Sequence, residues 1–166
     1  ALGISYSEAA KLSVNDSLLS VIKKEKDPKI QSDKYLLYLS KINPEFRDSS
    51  MKLMNEAIAG YHKNNFKYGE GRALSLKAWF LVFYAKYEES LKTAHKALSI
   101  QKSISDSVGI ANTLNRIGVA NMQFKRYADA ENYYTRAYLK FKQLKDSTKI
   151  EMTLNNLGVL AYEQGN

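Results

Sequence analysis

From Ile110 onward, apolar residues fall at Ile110, Leu114, Ile117 and Phe124, with the polar Asn121 holding one place in the series. Steps of three or four residues put these side chains on one face of a helix. From Tyr127 the same rule gives Tyr127, Ala130, Tyr134, Ala137, Tyr138 and Phe141. Two amphipathic helices with a short break near Lys125 are predicted. The next break holds Lys145, Asp146 and Ser147, and an earlier one holds Ser105, Asp106 and Ser107. Asp and Ser cap helix N-termini through a side-chain oxygen, so Asp106 and Asp146 are read as caps.

The pattern repeats. Set against itself at a shift of 40, the chain aligns Leu74, Leu114 and Leu154, then Ala78, Gly118 and Gly158, then Ala57, Ala97 and Ala137. Tyr87 meets Tyr127, Gly69 meets Gly109, and the phrase LNRIG at Leu114 returns as LNNLG at Leu154. Glycine inside a helix costs about 1 kcal/mol relative to alanine. A column that accepts this cost twice implies a crossing where two backbones must approach closely, with Ala130 facing it from the second helix.

Leu114, Ile117, Gly118, Ala130, Tyr134 and Ala137 occupy the places of the large apolar, glycine, small and aromatic positions of the tetratricopeptide repeat (TPR), which the chain resembles. Leu154, Leu157 and Gly158 supply the next unit, followed by a family-like turn at Glu163–Asn166. The family's usual period is about 34 residues, so the resemblance is to its longer-helix variety. The unit from Gly71 departs from the pattern, with Lys77 in a large apolar place, Ser90 in a small one and Ala94 in the aromatic one. A further degenerate unit within residues 31–70, with Pro44 in its turn and Ala57 in the small column, stays open because few columns match.

The resemblance implies an all-α fold, a right-handed α-solenoid of antiparallel helix pairs with three to four units. A leading segment and helix would cover 1–28 and a degenerate capping pair 29–70. Repeat units would follow at 71–110 and 111–150, with the first helix of a partial unit at 151–166. That last unit is expected to have its core face covered by residues beyond this sequence. Similar arrays occur in sensory or regulatory regions of bacterial signalling proteins, ahead of histidine kinase or DNA-binding modules. The stretch from Asn15 to Asp27 is similar to the short helix that leads into them.

In such a stack the first helices line the concave surface. Their second stripes are Arg72, Ser75, Trp79 and Val82, then Asn112, Asn115, Val119 and Met122, then Met152, Asn155, Val159 and Tyr162. Asn offers donors and an acceptor to a backbone amide, Met and Trp offer apolar contact, and Arg72 and Arg116 suit a carboxylate. Val119 and Val159 read better as packing. Asn115 and Asn155 read as groove-facing, because an apolar core offers a buried Asn no partners. Trp79 fits either role. The candidate peptide site is therefore Arg72, Ser75, Trp79, Asn112, Asn115, Arg116, Met122, Asn155 and Tyr162.

Composition narrows the function. The chain of 166 residues has 45% hydrophobic residues, 2 Pro and no Cys, so it can bury a core and has no disulfide or thiol chemistry. No run of about 18 apolar residues or signal peptide is recognisable. The net charge of +8 is scattered, and the densest run, Lys23–Lys26, is interrupted by Glu25. With no reader motif beside the charge, nucleic acid is not an expected partner. His62 and His95 lack visible partners, which argues against a metal site or a triad and for surface positions. YGEGRA at Tyr68–Ala73 lacks the strand and GK[ST] of a phosphate loop and is assigned to an interhelical turn. Without a nucleophile–base pair or a cofactor motif, the expectation is a non-catalytic domain binding a protein or peptide segment. The alternative is a structural scaffold or a homodimerising array. Either bacterial compartment, cytoplasm or periplasm, fits.

Overall fold

The side chain of Asp27 opens the first described helix. Its Oδ1 accepts from the backbone N–H of Lys29 at 2.8 Å and of Ile30 at 3.1 Å. Pro28 follows, where its fixed φ suits a first helical position. The computed structural model describes residues 24–40 and 47–165. These form seven helices and no strand: α1 (Pro28–Ser40), α2 (Arg47–Lys63), α3 (Lys67–Phe83), α4 (Tyr87–Ser103), α5 (Ser107–Gln123), α6 (Tyr127–Leu144) and α7 (Ser147–Glu163). The all-α expectation holds. Pro44 and residues 15–23 of the expected leading helix lie outside the described residues.

The predicted caps are in place. Asp106 accepts from Gly109 N at 2.9 Å and Asp146 from Lys149 N at 3.1 Å. Helices α3, α5 and α7 begin at Lys67, Ser107 and Ser147, so each starts four residues before the unit boundaries expected at 71, 111 and 151. YGEGRA is not a turn but the first turns of α3. Gly71 lies against α4: its carbonyl accepts from Gln101 Nε2 at 3.1 Å, and an added Cβ would stand 3.0 Å from Gln101 Cγ.

The five turns from α2 to α7 are built alike. Asn65, Ala85, Ser105, Lys125 and Lys145 all have positive φ, at intervals of 20 residues. At the α5–α6 turn, Lys125 N–H donates to Met122 O at 2.9 Å and Arg126 N–H to Asn121 O at 2.8 Å. This is the Schellman closure of a helix end. Arg126 is also the N-cap of α6, so one residue ends a helix and starts the next.

Each helix packs on its successor in the chain, and α3 also touches α5 as α5 touches α7. Leu91, Leu98, Leu114, Ile117 and Phe141 centre one core, while Leu39, Met54, Leu76 and Phe80 centre another where α1 and α2 meet α3. The small column works as a crossing. A Cβ on Gly118 would stand 2.5 Å from Cδ1 of the fully buried Tyr134. In the divergent unit Ser90 takes the place of Ala130, and its hydroxyl donates to the Ala78 carbonyl at 2.7 Å. Lys77, the mismatch in that unit, is half-buried.

Candidate functional site

A cleft of about 330 Å³ opens where α1, α3, α5 and the first turn of α7 meet. Its floor follows from the helix caps. Asp106, fixed by its bond to Gly109, accepts Arg72 Nε at 2.6 Å and Nη2 at 2.8 Å. This two-pronged pair ties the middle of α3 to the start of α5 and uses the fork of Arg72. The Asp106 carboxylate holds the Arg72 guanidinium above its ordinary range, outweighing the burial that opposes its charge.

Behind it runs a buried polar chain. Gln101 gives its amide N–H to Gly71 O, so its Oε1 faces Thr113 Oγ1 at 2.8 Å. That oxygen only accepts, so the Thr113 hydroxyl donates to it. Ser75 Oγ, 2.7 Å from Thr113 Oγ1, then donates to Thr113 and accepts Arg116 Nη1 at 2.8 Å. Ser75, Gln101 and Thr113 are fully buried, and each is satisfied. The chain ends in the guanidinium of Arg116 at the cleft.

Arg116 is half-buried, and among the described residues no carboxylate lies within ion-pair distance of it. Loss of solvent, then the nearby Arg72, push its guanidinium down to about 10. A desolvated cation with no counter-ion costs stability that the fold does not recover. Lys149 lines the same cleft, as do Asn112 and Leu37. Asp33 brings the opposing charge, and its carboxylate accepts the Tyr68 hydroxyl at 2.9 Å.

The cleft gathers four expected site residues: Arg72, Ser75, Asn112 and Arg116. Arg72 is engaged by Asp106, and Ser75 is buried as the support of Arg116 rather than open to a ligand. The Asn112 side-chain N–H donates to Val108 O at 2.9 Å. Asn115 departs from the groove-facing expectation. It is buried, and its Oδ1 accepts from Asn156 Nδ2 at 3.1 Å. The partner that an apolar core lacks comes from the next repeat. Asn155 is exposed, Tyr162 is 81% exposed, and Met122 sits half-buried with its sulfur 3.7 Å from the Tyr134 hydroxyl. Trp79 packs edge-on to Phe83, ring centroids 4.9 Å apart, and half-buried. These last four do not line the cleft.

Sequence reasoning missed Asp33, Leu37 and Lys149. Lys149 stands in the Gly69–Gly109 column, so its place at the cleft was open to the 40-residue register. Asp33 and Leu37 lie where few columns match. It also missed a partner for His62, whose Nδ1 is 2.9 Å from Oε1 of the buried Glu70. Lys67 Nζ donates to the other oxygen at 3.1 Å. Burial opposes the charge of Glu70, but His62 and Lys67 outweigh it and hold the carboxyl below its ordinary range.

Fold and cleft together define an all-helical chain with a cation-bearing pocket on the side shared by α3 and α5. Among the described residues no group of three or more His, Cys, Asp or Glu is placed to hold a metal, and no helix is long and apolar enough to cross a membrane. No protein-family model matches the chain, and no curated protein matches it in sequence.

Proposed function

We propose that this chain is a non-catalytic recognition domain, a TPR-like right-handed solenoid of antiparallel helix pairs. In this reading α3, α5 and α7 form a concave surface that holds a peptide or protein segment. The observation that carries the reading is Arg116, a half-buried cation in a cleft without a carboxylate partner among the described residues. A fold selected only for stability gains nothing from such a charge, whereas a ligand carboxylate would complete it. In this reading the domain serves as the sensory or regulatory part of a larger bacterial signalling protein, a setting supported by the resemblance of its repeat pattern alone.

The second reading is a scaffold or homodimer, and α7 favours it. Gly158 has nothing within 4 Å of an added Cβ, while Leu154 and Val159 are 50% and 43% exposed. Selection from a displayed random-peptide library, followed by titration of the winners, separates the two. Isothermal calorimetry reads these titrations, since the single tryptophan, Trp79, packs on Phe83 outside the cleft. Recognition predicts saturable binding that weakens about tenfold in Asn112→Ala or Asn155→Ala, as loss of a ligand hydrogen bond would. No selected peptide, or affinities unchanged in both variants, favours the scaffold.

A further inference from the structure

The cleft offers few uncommitted charges. Arg72 is turned onto Asp106 by both prongs of its fork. Among the described residues Arg116 spends one side-chain hydrogen bond, on Ser75, and a guanidinium has five N–H donors. The hydroxyl chain behind it fixes its position, since Ser75, Thr113 and Gln101 are all buried and each holds the next. Lys149 adds a second cation at the start of α7, and Leu36 and Leu37 of α1 give the cleft an apolar wall. Asp33 places a negative charge in the same cleft.

From this arrangement we infer that the cleft is a single-carboxylate pocket, in which Arg116 and Lys149 grip one carboxylate of the bound segment and its carbon stem lies along Leu36 and Leu37. The inference rests on the recognition reading above and names the ligand chemistry of its site. The planar fork of Arg116 matches the two oxygens of a carboxylate. A dianionic phosphate fits less well: Arg116 and Lys149 bring two positive charges and Asp33 one negative beside the mutually paired Arg72 and Asp106, so one negative charge balances the cleft and two overfill it. The carboxylate can belong to an acidic side chain or to a chain terminus.

The test is nitrogen NMR of the intact chain, reading the Arg116 Nε–Hε resonance assigned against Arg116→Met. N-acetylglutamate N-methylamide presents a side-chain carboxylate, and N-acetylalanine presents a terminal one. Inorganic phosphate and sodium chloride at matched ionic strength are the comparison. One carboxylate probe is expected to shift the resonance saturably, and the tighter of the two names the source. Lys149→Met is expected to weaken it several-fold, while Arg116→Lys, which keeps charge but loses the fork and is followed through the backbone amide resonance of Asn112 in the same cleft, weakens it about tenfold. Phosphate binding tighter than both carboxylates overturns the assignment, and so does a response no different from chloride. Because the probes are single anions, failure here leaves peptide binding, read by calorimetry, to stand or fall separately.

Discussion

At Gly118 one added methyl group decides between gain and loss. Alanine raises helix propensity by about 1 kcal/mol, but its Cβ would meet the Tyr134 ring at 2.5 Å, and that ring is fully buried. Overpacking of this kind costs about 1–3 kcal/mol. Gly118→Ala is therefore expected to lower unfolding stability by about 1 kcal/mol, while Gly158→Ala, which meets no atom within 4 Å, raises it by up to about 1 kcal/mol. Urea unfolding of both variants checks the pair. Glu70 gives a pH signature at the same scale. Its carboxyl is held below the ordinary value of 4.5, so its contribution is complete above that value and is lost as pH falls through the lower, folded one. Glu70→Gln should flatten the acid limb of a stability–pH profile, and an unchanged limb would remove the His62–Glu70–Lys67 cluster from the account. At this scale the sequence was half legible. Gly118, Asp106 and Asp146 announce themselves because caps and crossings demand particular residue types. Asn115 misled, since its partner Asn156 and the Ser75–Arg116 bond both join residues 41 apart, and no local pattern signals such a bond. In each case a residue on one first helix bonds the residue one place further along on the next, so LNRIG and LNNLG share a polar bridge as well as a packing phrase.

At the scale of elements, α2 to α7 are joined by turns with one left-handed residue each, and none of those residues is glycine. A left-handed conformation costs an ordinary L-residue on the order of 1 kcal/mol, which glycine avoids at some loss of unfolded-state restriction. Ala85→Gly and Lys125→Gly are expected to raise the melting midpoint, each by an amount worth about 0.5 kcal/mol. Asn65→Gly should do less, because Asn tolerates this region. Destabilisation in both Ala85→Gly and Lys125→Gly would contradict the turn geometry. The elements were the most legible feature: a 3.6-residue apolar period and a 40-residue register located helix pairs without any contact being known. The boundaries were displaced because YGEGRA was read as a turn from its glycines. Those glycines serve close packing inside α3, which composition alone does not distinguish from a turn.

At the scale of the whole molecule, the cleft joins residues from five helices, and the sequence reached it only in part. The register brought Arg72, Ser75, Asn112 and Arg116 to one side, yet which arginine is engaged depends on Asp106, a cap on another element. On the proposed recognition function, Arg116 is kept for a ligand and at a cost to the fold. Methionine preserves its unbranched stem and removes the charge, and Ser75 keeps its bond to Thr113 when the guanidinium is gone. The direct measurement is the unfolding free energy of Arg116→Met by urea denaturation, beside the wild-type chain. Equal or greater stability in the variant is the predicted result. A loss of more than about 1 kcal/mol, the scale of a net structural hydrogen bond, would show that Arg116 serves the fold and contradict the account.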